Sequence, residues 1–411
     1  MKLRTLLIIS MLLSGMYPAA VSSAPGKPVL PKDNEAVTFT NVSEQAGLPY
    51  IDSGHATFAW GDYNNDGYID LLIDTVHGPL LYRNNGPPNW DFTNVTSQVG
   101  LYGPGMGNSV FADYDNDGYL DIYTTWWEES IPSYTDVLWH NSGPPTYSFT
   151  NVTLQAGNVT DIYPGKGNVW GDFDRDGYLD MYVVNWRTGH SPWYKDYYWH
   201  NNGNGTFTDM SQEAGIYSTN PPAYAPPPFA GMGVTAGDYN NDGFMDIWVS
   251  DLAHKDPGRA GMCDDSLILK NSGPPHWNFT DIRPTSGIPI TKAGTIYPKP
   301  INGNYYYWDE HHFSAAWADF DNDGDLDIFV PQVKNVPWSH SFLYRNNGNG
   351  TFTNVSRSAG IEVWDAINGA WADYNNDGFM DLVADGKYPY EGGVRQVRLF
   401  WMRLINLKIT A

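Results

Sequence analysis

Asp62-Tyr-Asn64-Asn-Asp66-Gly67-Tyr68-Ile-Asp70 is the stretch that decides the fold, because the same nine-residue acidic loop returns from Asp113, Asp172, Asp238, Asp319 and Asp373. In every copy positions 1, 5 and 9 are Asp, position 3 is Asp or Asn, and position 6 is Gly. A hard cation takes six to eight oxygens at ~2.3–2.6 Å, and a tightly turned backbone brings alternate side chains together with the position-7 carbonyl. The loops therefore read as Ca²⁺ sites, about six in all. The candidate ligands are Asp62, Asn64, Asp66, Tyr68 and Asp70 in the first loop, and Asp113, Asp115, Asp117, Tyr119 and Asp121 in the second. Asp172, Asp174, Asp176, Tyr178 and Asp180 form the third set, and Asp238, Asn240, Asp242, Phe244 and Asp246 the fourth. The last two sets are Asp319, Asp321, Asp323, Asp325 and Asp327, then Asp373, Asn375, Asp377, Phe379 and Asp381. The position-7 residue in each set is named for its backbone carbonyl.

These loops are not EF-hands, since position 12 holds Ile73, Thr124, Val183, Val249, Val330 and Ala384 where a bidentate Glu is needed. After each loop comes period-two alternation: Leu120, Ile122 and Thr124 flank Asp121 and Tyr123. That period means a strand, so each loop is a turn between two strands with its last Asp opening the second. A third apolar stretch follows and ends in a polar turn, as in Leu81-Tyr-Arg-Asn-Asn-Gly86 and Tyr198-Trp-His-Asn-Asn-Gly203. A fourth follows that, as in Phe92-Thr-Asn-Val95 and Phe207-Thr-Asp-Met210. Four strands on short turns, repeated along the chain, describe a β-propeller blade, and the expected fold is an all-β propeller of six visible blades. Phe39-Thr-Asn-Val42 is a fourth strand with no first three before it, and the sixth unit lacks one, so the N-terminal strand is expected to complete the last blade. A seventh blade without the metal loop would have to fall between Ile282 and Phe313.

The Asp-Tyr-Asp-Asn-Asp-Gly loops, Asn-Asn-Gly turns and Phe-Thr-Asn-Val strands resemble the FG-GAP/VCBS repeat family, related to the integrin alpha-subunit propeller. More narrowly they are similar to the repeats of the secreted cartilage-acidic-protein (ASPIC/UnbV) group. The resemblance covers about residues 38 to 400 and implies an extracellular Ca²⁺-binding propeller used for adhesion or ligand recognition. In domain terms, 1–24 reads as a secretory signal peptide, 25–37 as a linker, 38–403 as the propeller and 404–411 as the start of a C-terminal module of the kind that group carries.

The N-terminal reading rests on Met1-Lys-Leu-Arg4, the apolar run from Leu6 to Leu13 and the small residues up to Ala24. No later segment is long and apolar enough to span a membrane as a helix. Cys263 is the only cysteine, which excludes an intramolecular disulfide and leaves the core and the metals to hold a secreted chain together. The net charge is −23, and 21 of the 46 acidic residues are loop ligands. With no basic stripe to neutralise phosphates, nucleic acid is not an expected partner. The sequence leaves the oligomeric state open.

Strand direction alternates within a blade, so the metal turns and the Asn-Asn-Gly turns share one face. The other face receives every long insertion: 126–137, 186–197, 218–232, 251–266, 284–312 and 332–341. Variable loops on a rigid scaffold are the usual seat of function. Trp126, Trp127, Trp186, Arg187, Trp193, Tyr194, Trp308, His311 and His312 lie in them and form the candidate face for a glycan or protein ligand. His311 and His312 beside Asp309 and Glu310 also allow a transition-metal or acid–base site. His140 and His200 share a repeat position with Arg83 and Lys270 and read as repeat structure. A binding module, a polysaccharide lyase or hydrolase acting on the loop face, and a structural domain of a larger assembly are the three function classes. No nucleophile motif, phosphate loop or carboxylate pair outside the acidic loops favours the enzyme.

Overall fold

The computed structural model describes residues 46–48, 57–75, 78–89, 91–103, 107–126, 135–159, 165–185, 196–216, 231–253, 265–290, 310–333, 340–361, 363–372, 380–387 and 395–400. Among these the chain is all β apart from one 3-10 turn, Arg283–Thr285. Its strands form six antiparallel sheets in chain order, the blades of a propeller.

Blade 1 is β1 (Thr57–Gly61), β2 (Asp70–Thr75), β3 (Gly78–Asn84) and β4 (Phe92–Asn94), and blade 2 is β5 (Ser109–Ala112), β6 (Asp121–Thr124), β7 (Val137–Asn141) and β8 (Phe149–Asn151). Blade 3 is β9 (Gly165–Gly171), β10 (Asp180–Asn185), β11 (Tyr197–Asn201) and β12 (Phe207–Asp209). Blade 4 is β13 (Gly231–Gly237), β14 (Asp246–Ala253), β15 (Leu267–Asn271) and β16 (Phe279–Asp281), with β17 (Glu310–His311) paired to the end of β14. Blade 5 is β18 (Ala316–Ala318), β19 (Asp327–Val330), β20 (Phe342–Asn346) and β21 (Phe352–Asn354). Blade 6 has three described strands, β22 (Gly369–Ala372), β23 (Asp381–Lys387) and β24 (Arg395–Phe400). In all six blades the second strand opens on the position-9 Asp, as the alternation predicts. No seventh sheet occurs among the described residues.

The second strands read as continuous apolar runs because both of their faces are covered. Each first strand lies against the first strand of the next blade, from β1 against β5 through to β18 against β22. The core lies between consecutive blades rather than inside any one of them. Tyr63, Leu72 and Leu81 of blade 1 pack with Phe111, Ile122 and Trp139 of blade 2, and Phe173, Tyr182 and Val184 of blade 3 pack with Val234, Ile247 and Phe279 of blade 4. Phe149, Phe207, Phe279 and Phe352, the invariant aromatics of the fourth strands, are all buried at these seams. An isolated blade would leave these faces in water, so blades are stable only as neighbours.

A backbone bond also crosses every described seam between complete blades. Phe149 N donates to Val99 O at 2.7 Å, Phe207 N to Ala156 O at 2.8 Å, Phe279 N to Ala214 O at 2.7 Å and Phe352 N to Ser286 O at 2.7 Å. Each acceptor lies seven residues beyond the Phe of its own fourth strand. Blade 1 receives the same bond from outside itself, because Phe92 N donates to Ala46 O at 2.9 Å, and Ala46 lies seven residues beyond Phe39. The expected strand Phe39–Val42 itself lies outside the described residues.

Candidate metal centres

Each acidic loop is built by its own side chains. Asp62 takes the amide of Asp66 on Oδ1 (3.0 Å) and that of Gly67 on Oδ2 (2.8 Å), and Asp66 Oδ1 accepts from Tyr68 N (2.9 Å). The same pattern recurs at Asp172 with Gly177 (3.1 Å) and Asp176 with Tyr178 (2.9 Å), and again at Asp319 with Gly324 (3.0 Å). Gly118 has φ +90° and Gly177 φ +94°, a left-handed turn that a side chain would strain. Position 4 is left-handed too, with Asn65 at φ +54° and Asn116 at φ +59°, and Asn tolerates this better than most residues.

The turn draws carboxylates together. Asp113, Asp115 and Asp121 each bring an oxygen within 4.8 Å of the others, as do Asp172, Asp174 and Asp176, and Asp319, Asp321 and Asp327. Asp113 Oδ1, Asp172 Oδ1 and Asp321 Oδ1 are shielded from solvent and have no hydrogen-bond donor. A buried anionic oxygen without a donor is costly unless a cation faces it. These clusters can hold metal ions. Of the sixth loop, Asp373, Asn375, Asp377 and Phe379 lie outside the described residues.

The position-9 Asp has a second task. Asp180 Oδ1 accepts from Asn201 N (2.8 Å), while its Oδ2 accepts from Phe173 N (3.2 Å) and Tyr198 Oη (2.9 Å). Asp70, Asp121, Asp246 and Asp327 take the amide of the third-strand Asn in the same way, at 2.7–2.8 Å. All five are buried, and burial pushes Asp70, Asp121 and Asp327 up to about 7, Asp246 to about 8 and Asp180 to about 6. Burial likewise raises Asp62, Asp113, Asp115, Asp172 and Asp321, with neighbouring carboxylates adding to it. A bound cation would reverse these shifts by favouring the charged forms.

Two sets of polar residues escape sequence reasoning. The first Asn of each Asn-Asn-Gly or Asn-Ser-Gly turn is a tie between blades: Asn141 Nδ2 donates to Tyr63 O (2.9 Å), Asn201 to Tyr114 O (2.7 Å), Asn271 to Phe173 O (2.8 Å) and Asn346 to Tyr239 O (2.6 Å). Adjacent acidic loops are also joined, because Asn65 Nδ2 donates to Gly118 O (2.8 Å), Asn116 to Gly177 O (2.9 Å) and Asn241 to Gly324 O (2.9 Å). At the seam between blades 3 and 4 Arg175 stands in this position and lies over the Phe244 ring at 5.6 Å. The second set is at the far end of the strands, where buried Asp136 accepts from Trp126 N (2.7 Å) and Tyr123 Oη (2.9 Å), and Asp196 from Asn185 N and Tyr182 Oη, both at 2.9 Å.

Of the candidate ligand face, Trp127, Trp186, Arg187, Trp193, Tyr194 and Trp308 lie outside the described residues. Trp126, His311 and His312 are described and are buried at 7%, 6% and 3% exposure. His312 Nδ1 is 2.8 Å from Ser266 Oγ, and His311 pairs with Leu252 where β17 extends blade 4. Glu310 beside them is in a buried ion pair with Arg283 at 2.8 Å.

The residues 172–249 and 333–384 match the model of the FG-GAP-like repeat. The chain carries FG-GAP-like repeats. Over 298 residues it is 26% identical to cartilage acidic protein 1 of Mus musculus, a match covering 71% of this chain and 38% of that protein. The Xenopus tropicalis protein of the same name is 27% identical over 168 residues, 40% of this chain and 23% of that one. The chain thus spans well under half the length of these relatives. Among solved structures, a lectin of Agrocybe aegerita that recognises non-reducing terminal N-acetylglucosamine aligns over 87% of this chain and 83% of its own, at 16% identity and a TM-score of 0.44. A mutant of AofleA from Arthrobotrys oligospora aligns over 84% and 83% at 12% identity and a TM-score of 0.41. No helix among the described residues is long and apolar enough to cross a membrane.

Proposed function

We propose that this protein is a secreted, calcium-stabilised β-propeller that serves as an adhesion or recognition module for a glycan or protein ligand. The observation that carries the calcium reading is the set of solvent-shielded carboxylate oxygens, Asp113 Oδ1, Asp172 Oδ1 and Asp321 Oδ1, left without donors, while the second oxygens of Asp113 and Asp172 accept from Gly118 N and Gly177 N. About six Ca²⁺ would be held by positions 1, 3, 5 and 9 with the position-7 carbonyl. Their role is structural: an ion that binds only the folded chain adds stability in proportion to the logarithm of its concentration over Kd. Secretion is supported by the Met1–Ala24 pattern.

Recognition is assigned to the face opposite the metal loops, the side to which strand order assigns the long insertions. Trp127, Trp186, Arg187, Trp193, Tyr194 and Trp308 are the proposed contacts, and buried Trp126, His311 and His312 are proposed to hold their loops in place. Calcium analysis by mass spectrometry after desalting into millimolar Ca²⁺ tests the first half, with about six ions expected per chain. A count of none or one overturns it. Glycan arrays combined with analysis of released products test the second: retention without turnover is expected, and new reducing or unsaturated ends would make the protein an enzyme.

A further inference from the structure

Blades 2 and 3 differ from blades 1, 4 and 5 in the residue the third strand carries just before its Asn. Blades 1, 4 and 5 place Arg83, Lys270 and Arg345 there, and Lys270 Nζ stands 3.4 Å from Asp242 Oδ2. Blades 2 and 3 place His140 and His200. His200 Nδ1 lies 3.2 Å from Asp174 Oδ2 and 3.1 Å from Asp180 Oδ1. His140 Nδ1 lies 3.4 Å from Asp115 Oδ2 and 3.3 Å from Asp121 Oδ1. His200 with Asp174 and Asp180, and His140 with Asp115 and Asp117, each gather three ligand atoms within 4.8 Å of one another. In the same two loops the position-1 oxygens Asp113 Oδ1 and Asp172 Oδ1 are the buried ones without a donor.

We infer that the second and third loops are sites for a borderline transition-metal dication of the Zn²⁺ class, ligated by His140 and His200, whereas the first, fourth and fifth accept only oxygen-seeking cations. This assignment rests on the metal-loop reading above and adds to it the class of cation. Ligand atoms bound at ~2.0–2.2 Å stand about 3–3.5 Å apart at the corners of a tetrahedron or octahedron, the spacing these nitrogen and oxygen atoms already have. Arg and Lys offer only donors and carry a charge that repels a metal, but imidazole that has given up its Nδ1 proton offers a lone pair. Thus one repeat position is a ligand in two blades and a fixed cation in three. An imidazole added to carboxylates moves a site from the Ca²⁺ and Mg²⁺ class towards Zn²⁺ along the divalent series. The histidine side chains are 30% and 27% exposed, while His140 Nδ1 itself is shielded from solvent and has no hydrogen-bond partner.

The test uses the full chain stripped of metal and titrated separately with ZnCl₂ and CaCl₂ by calorimetry, with X-ray absorption at the zinc edge on the loaded protein. The variants are the double substitution His140→Arg with His200→Arg, which installs the residue blades 1 and 5 use, and the single His200→Lys, which copies blade 4. We expect two zinc sites with imidazole scattering in the native protein, and loss of at least about tenfold in zinc affinity in the double variant with its calcium count unchanged. His200→Lys should lose one of the two. Equal zinc binding by native and double-variant protein, or zinc without imidazole scattering, overturns the inference while calcium binding still stands. Absence of both metals from the native protein overturns the loop reading with it.

Discussion

Replacing Asn201 by Ala tests the seam between blades 2 and 3 without changing the identity of any acidic loop residue. Asn201 is fully buried, and its Nδ2 donates to Tyr114 O at 2.7 Å and to Leu179 O at 3.0 Å, while its Oδ1 accepts from Gly203 N at 3.0 Å. Truncation leaves two carbonyls and one amide without these partners in a place water does not reach. At about 1–1.5 kcal/mol for each bond lost, the cost is about 3–4 kcal/mol. Asn202 next to it is the control, because its bonds to Thr206 and Thr208 are exposed and its loss should cost under about 1 kcal/mol. Asn201→Asp is the sharper variant, since an oxygen then faces Tyr114 O and Leu179 O and the loss should be at least as large. The assay is urea unfolding at saturating Ca²⁺, where an unchanged slope with a lowered midpoint reports stability alone. If Asn201→Ala and Asn202→Ala lie within about 1 kcal/mol of each other, the side-chain tie does not hold the blades together.

Three further outcomes follow from the same contacts. With chelator present the raised Asp70, Asp121, Asp180, Asp246 and Asp327 hold protons that the unfolded chain, titrating near 3.9, has released, so metal-free stability should fall as pH rises from about 4 to 8; a metal-free midpoint higher at pH 8 than at pH 5 would contradict this, and Ca²⁺ should bind more weakly below about pH 7. Asp136→Ala should cost about 1–3 kcal/mol, because buried Trp126 N and Tyr123 Oη lose their acceptor; thermal unfolding unchanged from native would show that Asp136 is not needed there. Deleting residues 25–45 should leave the outer edge of β24 unpaired and Phe92 N without Ala46 in place, giving aggregation or early unfolding in light scattering, and a deletion as stable as the native chain would refute closure by the N-terminal strand.

The blade plan was legible because each element repeats. Six copies of one loop set the strand boundaries, and the position-9 Asp opens the second strand in every blade. The metal clusters were legible for the same reason: position 1, 3, 5 and 9 side chains are neighbours along the chain and need only a tight turn to meet. The Asn ties were not. Asn141, Asn201, Asn271 and Asn346 find their acceptors 78, 87, 98 and 107 residues away, and nothing within their own turn marks them as other than turn formers. His140 and His200 share a repeat position in the sequence, but the distance from that position to the acidic loop appears only when the third strand is laid beside the turn. Asp136 and Asp196 were legible in principle, since each stands five residues before the third-strand Asn in insertions of equal length, 126–137 and 186–197, that share Trp126 with Trp186, Pro132 with Pro192 and Tyr134 with Tyr194.

Every tie is divided between two units, the acceptor at position 2 of one loop and the donor on the third strand of the next. A duplication or loss that begins and ends at equivalent positions therefore restores both halves at the new junction, wherever in the period it is cut. Copy number is thus the property such a chain can change most cheaply during evolution, and the unit exchanged need not coincide with a sheet. One junction breaks this equivalence. Arg175 meets Phe244 where the seams between blades 1 and 2, 2 and 3, and 4 and 5 use Asn and a glycine carbonyl, so a recombinant that puts the Asn of another copy in place of Arg175 would lose a cation held over a ring.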